Sequence, residues 1–229
     1  MHSRKAIYQS IKSLLRKHAE RTTFRQAQHR NPSPSLETAM SRLPLHTIDD
    51  APALARPRLT AAQQNNGYLP NLLGLLANAP VALEAYQTLS AINAKASLNP
   101  AEREAVQITA AAIHGCGFCV AGHTAIAYKK IDLDKTIVDA LRGLEHGPDA
   151  RLNAVAEFTK AVIRNRGNVA DRELADFLAA GFDEAAALEV VLGVSLATLC
   201  NFSNNLGRPE LNPELAPYKW RGAEVEAAE

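Results

Sequence analysis

Between Leu98 and Lys130 the chain carries two helix signatures separated by one glycine, and no other stretch constrains the fold as tightly. Asn99 stands where an N-cap belongs, Pro100 occupies the first helical position, and Glu102 sits where its side chain can reach back in a capping box. The spacing predicts a helix from there to about His114. Gly115 breaks it, and a second helix is expected from near Cys116 to about Lys130, where two lysines suit a C-terminus. So short a connection returns the second helix antiparallel to the first. The core of the protein is therefore expected to be built on a helical hairpin.

The surrounding sequence continues in the same style. Aromatic residues are only 5% of the 229, while 47% are hydrophobic and rich in Ala and Leu, which favours an all-α core. Helical pieces are expected from Pro57 to Asn99, interrupted at Asn65-Asn66-Gly67 and Ala79-Pro80, with an apolar run from Leu69 to Leu76. Further helices are read at about Asp134–Leu144, Leu152–Arg164, Asp171–Ala180 and from an Asp183 cap to about Asn204, with turns at His146–Asp149 and Gly181. No strand-like alternation and no fixed-period repeat stands out. The fold class expected is an all-α helical bundle.

Charge divides the chain at about residue 39. Residues 1–39 hold eight Lys/Arg against two acids, leaving seventeen basic and twenty-two acidic residues for the rest. This basic start, with Ile7, Ile11, Leu14 and Leu15 at helical spacing and a linker at Asn31–Ser35, reads as an N-terminal extension. An Arg-rich targeting segment is the competing reading. Residues 40–229 then form the helical domain. Its mildly acidic balance argues against a nucleic-acid surface. No uninterrupted apolar stretch reaches the roughly 18 to 20 residues of a membrane span. Three cysteines without an even, spaced framework suggest a reducing cytoplasm and not a secreted disulfide scaffold.

The chemistry is expected in the string His114-Gly115-Cys116-Gly117-Phe118-Cys119-Val120-Ala121-Gly122-His123. Two cysteines at i and i+3 on the first turn of a helix share one face. Unpaired backbone N–H groups and the helix dipole there favour thiolate over thiol. His123 follows Cys119 by four residues and so lies on the same face, a base one turn from a nucleophile. Folding the hairpin about Gly115 brings the region of Gln107 opposite His123. Glu104, one turn from Gln107, then becomes the carboxylate that orients His123 or relays its proton, directly or through water.

A Glu, eleven intervening residues and Cys-x-x-Cys-x-x-x-His, here Glu104, Cys116, Cys119 and His123, resembles the motif of the AhpD-like alkyl hydroperoxidases. These form a branch of the carboxymuconolactone decarboxylase family. The flanks Leu98–Glu104 and His123–Ala127 are similar to that branch, and Asn201–Gly207 resembles a segment of its peroxidase-related members. The resemblance spans about residues 40–207. It implies an all-helical fold, a homo-oligomer and a peroxidase cycle that needs no cofactor or metal. Cys119 would attack a hydroperoxide, Cys116 would condense with the resulting sulfenic acid, and an external thiol or dithiol would reopen the disulfide. One departure stands out: AhpD has a histidine just before its second cysteine, where this chain has Phe118. His114 is a candidate to compensate.

Other readings of the same residues are weaker. A structural zinc site needs four ligands, and beyond the pair and His123 only His114 and the distant Cys200 are on offer. A haem attachment fails at Val120, where histidine is required. Cys200 lies in helical register with Leu192 and Leu196 and reads as core. His18, His29, His46 and His146 read as surface. Three functions remain: a hydroperoxidase or disulfide reductase, a carboxymuconolactone-type decarboxylase, and a non-catalytic redox-sensing protein. The decarboxylases proper lack the cysteine pair, which favours the first.

Overall fold

The computed structural model describes residues 41–222; the basic segment 1–39 lies outside them. The described chain is all-α. Its helices are α1 (Arg56–Asn66), α2 (Asn71–Leu76), α3 (Pro80–Asn93), α4 (Pro100–Ile113), α5 (Gly117–Ile126), α6 (Lys135–Gly143), α7 (Ala150–Asn165), α8 (Asp171–Ala179) and α9 (Glu184–Gly207). A 3₁₀ segment, Pro213–Tyr218, follows α9. No strand occurs among the described residues.

Local chemistry sets most of these limits. The Asn99 side chain accepts from Glu102 N at 3.0 Å and Glu102 Oε2 accepts from Asn99 N at 2.7 Å, so both halves of the capping box form. Buried Glu102 turns its other oxygen to Arg151 Nε on α7, 2.6 Å away, and thereby ties the cap to the bundle. Pro80 opens α3 and Gly67, at φ +78°, closes α1, as their breaker chemistry requires. Two expectations fall short. The helix after the cysteines does not stay regular to Lys130; it widens into a π-turn at Ala127–Ile131. Helix α7 starts at Ala150, earlier than Leu152, because Asp149 is its cap and accepts from Arg151 N and Leu152 N at 2.9 Å.

Helix α4 is the axis of the fold. Residues 104–112 are all buried, and α4 packs on α5, α6, α7 and α9. On one side a core of Val106, Ile108, Val138, Val155 and Val190 surrounds three stacked rings, Phe158–Phe177 and Phe177–Phe182, each pair 4.4 Å apart. On the other side Leu59, Leu72, Leu76, Leu83, Ala111, Val120 and Leu196 form a second core, and all three cysteines lie within it.

Helix α9 crosses α4 at Gly193. A Cβ there would stand 2.9 Å from Val106 Cγ1, and Gln107 Nε2 donates to Gly193 O at 2.9 Å. Only a glycine permits this approach. Over 24 residues α9 is long and apolar enough to cross a membrane by length and composition alone, with a mean hydropathy of 1.7. It packs on α2, α3, α4, α5, α7 and α8 and serves here as a central helix of the bundle.

Candidate active site

The hairpin turns at Gly115, whose φ of +65° is left-handed and suits the missing side chain. Cys116 follows as the N-cap of α5, with Cys119 in the first turn. Both are almost fully covered, at 1% and 4% exposure, so these thiols are core atoms as well as chemical ones. Cys116, Cys119 and Cys200 form no disulfide.

Opposite them, His123 Nδ1 lies 2.7 Å from Glu104 Oε2, a direct hydrogen bond between α5 and α4. No bridging water is needed at that distance. Gln107, expected opposite His123, instead faces α9 through Gly193. His114 does not stand in for the missing histidine at position 118. Its Nδ1 meets Asn201 Oδ1 at 3.0 Å, and its ring packs edge-on to Phe202, centroids 4.9 Å apart.

The electrostatics distribute one negative charge over the sulfur pair. Cys116 is held below the ordinary thiol value, chiefly by the Cys119 S–H. Burial opposes this, while the Cys119 backbone N–H, the Asn204 amide and His123 add to it. Cys119 is pushed well above the ordinary value by its bond to Cys116, by burial, and by the charge already on Cys116. The pair therefore ionises once easily and a second time with difficulty. Burial works against protonating His123, but the charge and hydrogen bond of Glu104, with Cys116 behind them, outweigh it and raise its pKa. Cys200 is pushed up to about 12 by burial and by Cys116, so it stays a neutral thiol.

Two cavities flank the pair. The first, about 340 Å³, is walled by Leu72, Leu73, Tyr86, Phe118 and Leu215, and reaches Cys119 and His123. Lys129 and Lys130 from the π-turn also line it. The second, about 350 Å³, is a more polar cleft at Cys116, lined by Phe118, Asn204, Asn205 and Arg208. The floor of the first depends on the segment after α9. Buried Arg142 donates to Thr124 Oγ1, Tyr218 O and Lys219 O at 3.0, 3.1 and 3.1 Å, and Trp220 Nε1 donates to Arg142 O at 3.2 Å. These bonds hold Leu215 over α5.

Sequence reasoning missed three site residues. Asn204 Nδ2 donates to Cys119 Sγ at 3.2 Å. Tyr86 and Cys200 line the first cavity, so Cys200 borders the site as well as belonging to the core. The segment Asn201–Gly207 stood out in the sequence, but nothing local assigned Asn204 a role. Four other histidines read as surface from the sequence. His146 is exposed and pairs with Glu157 at 2.9 Å. His46 is a correction, because its side chain is only 19% exposed and packs by α2 instead of facing solvent. His18 and His29 lie outside the described residues. Among the described residues no group of three or more His, Cys, Asp or Glu side chains is arranged to hold a metal ion.

A capped helix, a glycine turn and a Cys-x-x-Cys helix whose histidine meets a buried glutamate define an AhpD-like helical protein. Residues 80–161, which span that hairpin, match the carboxymuconolactone decarboxylase family. No curated protein matches the chain in sequence. Among solved structures it is similar to a peroxidase-related protein with the alkylhydroperoxidase AhpD core from Ralstonia eutropha JMP134. That pair shares 24% identity and a TM-score of 0.69, over 78% of this chain and 96% of the other. A peroxidase-related protein from Silicibacter sp. TM1040 matches at 19% identity and TM-score 0.65, over 80% and 96%. The debrominase Bmp8 matches at 19% and 0.62, over 80% and 97%. At these identities the likeness establishes the fold.

Proposed function

We propose that the protein is a thiol-dependent peroxidase that reduces organic hydroperoxides on the Cys116/Cys119 pair. The observation that carries this reading is the 2.7 Å His123–Glu104 bond on the wall of an apolar cavity that reaches Cys119. A base held by a carboxylate beside a buried thiol is the arrangement that activates a sulfur nucleophile. In the proposed cycle the one negative charge of the pair passes to Cys119 as its proton moves across their hydrogen bond to Cys116, and the Cys119 sulfur attacks the outer peroxide oxygen. The O–O bond breaks, and the alkoxide takes a proton from His123 and leaves as alcohol. Cys116 then gives its proton to the His123–Glu104 pair and attacks the Cys119 sulfenic acid, and hydroxide takes that proton and departs as water as the disulfide forms. An external thiol or dithiol reduces that disulfide, and the polar cleft at Cys116 offers it an approach.

A second reading uses the same sulfur chemistry. Bmp8 is a debrominase, and a cysteine-to-alanine variant of it has been crystallised with 2,3,4-tribromopyrrole. A ring-lined cavity beside a nucleophilic sulfur suits a halogenated aromatic as well as an alkyl hydroperoxide. The decarboxylase alternative makes no use of the two thiols and is weaker for that reason. We assign this activity to residues 40–229, in a reducing cytoplasm, as a homo-oligomer.

The test is to add one equivalent of cumene hydroperoxide to reduced protein and follow intact mass. Loss of two hydrogens, mapped to Cys116–Cys119 and reversed by a dithiol, is the expected result. Glu104→Gln and His123→Gln should each slow the oxidation by about 100-fold. Thiols that survive the peroxide untouched would refute the peroxidase. If they instead debrominate a bromopyrrole, the second reading takes its place.

A further inference from the structure

The Asn204 side chain is 3% exposed, and its two ends are treated differently. Nδ2 donates to Cys119 Sγ at 3.2 Å, and the same amide also favours a charge on Cys116. Oδ1 is buried with no hydrogen-bond partner. A buried amide oxygen without a donor is unfavourable, and folded proteins rarely keep one that serves no purpose. The acceptor lies on the side chain that touches the reacting sulfur, where a donor is absent in the reduced protein. The cycle itself supplies one.

We propose that Asn204 is a catalytic residue of the cysteine pair, with Nδ2 stabilising negative charge on the sulfurs and Oδ1 accepting the hydroxyl of the Cys119 sulfenic acid. This rests on the peroxidase reading for its second half alone. When Cys119 sulfur takes the outer oxygen of ROOH, the O–O bond breaks, ROH leaves, and a new S–O–H appears beside Asn204. Its O–H donates to Oδ1. The sulfur is then presented to Cys116, whose thiolate attacks it; the S–S bond forms, the S–O bond breaks, and hydroxide leaves as water with a proton from the His123–Glu104 pair. The amide thus serves both half-steps without changing its own state.

The other groups facing the pair do not duplicate this. His123 and Glu104 approach from α5 and α4, and neutral Tyr86 and Cys200 come from α3 and α9. Arg208 lines the cleft at Cys116 but is exposed. The Asn204 amide reaches Cys119 from 85 residues further along the chain.

The experiment measures two things on Asn204→Ala and Asn204→Asp. The first is the pH dependence of iodoacetamide alkylation of the reduced pair, which does not depend on any peroxide. Both variants should move its midpoint upward, Asn204→Asp the further because it adds a charge while keeping the shape. The second is dimedone trapping of the sulfenic acid in a Cys116→Ser background. The oxidation that forms it should slow about tenfold in Asn204→Ala, as expected for loss of one donor to a charged group. Circular dichroism checks that each variant is folded, and Asn204→Asp serves if Asn204→Ala is not. An alkylation midpoint shifted in both variants, with the wild type inert to hydroperoxides, would retain the donor role while the peroxidase fails. An alkylation profile unchanged in a folded variant overturns the proposal.

Discussion

His123 shows how a single contact sets a pH dependence. Its pKa is raised in the folded protein, so folding is favoured by its proton. That contribution is complete below the ordinary imidazole value of 6.5 and is lost as pH rises through the raised folded value. Cys116 acts in the opposite sense, because its pKa is lowered. Its contribution is complete above the ordinary thiol value of 9.0 and is lost as pH falls through the lowered one. Thermal melts of Glu104→Gln against wild type should therefore show their largest gap in acid, about 2 kcal/mol, narrowing towards alkaline pH. A gap constant across the range would mean that the His123–Glu104 bond contributes nothing through charge. At this scale His123 and Glu104 were legible in the sequence, one from i+4 spacing and the other from the fold-back at Gly115. Asn204 was not, since its contact crosses from α9.

The α4–α9 crossing is the element on which the site's geometry most depends. Gly193 lets the two helices approach, and the crossing brings Cys200 and Asn204 to the cysteine helix. Gly193→Ala should cost about 1–3 kcal/mol by overpacking against Val106. In denaturant unfolding it should exceed the loss from Asn99→Ala, which removes a cap worth about 1 kcal/mol. The reverse order would mean that the helices part easily and that the cap governs stability. Local signals gave most element limits correctly, because caps and breakers act within a turn. They failed at the π-turn Ala127–Ile131, where no residue type announces the wider bonding.

At the scale of the described domain, α9 carries several exposed large apolar side chains. Leu188, Val191, Phe202 and Leu206 on α9 are exposed, at 72%, 40%, 56% and 58%. Exposed apolar side chains along one helix are a place where a partner surface would be covered. The proposed homo-oligomer is expected to cover this face with a second copy, so light scattering should give a mass above one chain. The double substitution Leu188→Glu and Phe202→Glu should return it to a monomer. A monomeric wild type would remove the homo-oligomer from the functional reading.

By itself the sequence determined the helical class, the hairpin around Gly115 and the Glu104–Cys116–Cys119–His123 set, because caps, breakers and i+4 spacing are local and a short turn forces its helices together. Tertiary structure alone decided what surrounds that set: the apolar cavity with Tyr86 and Cys200, the cleft at Cys116, and the amide of Asn204. Those partners come from helices far apart in the chain. Their meeting depends on how α3 and α9 pack on the hairpin, a sum of many weak contacts that no short stretch of residues encodes.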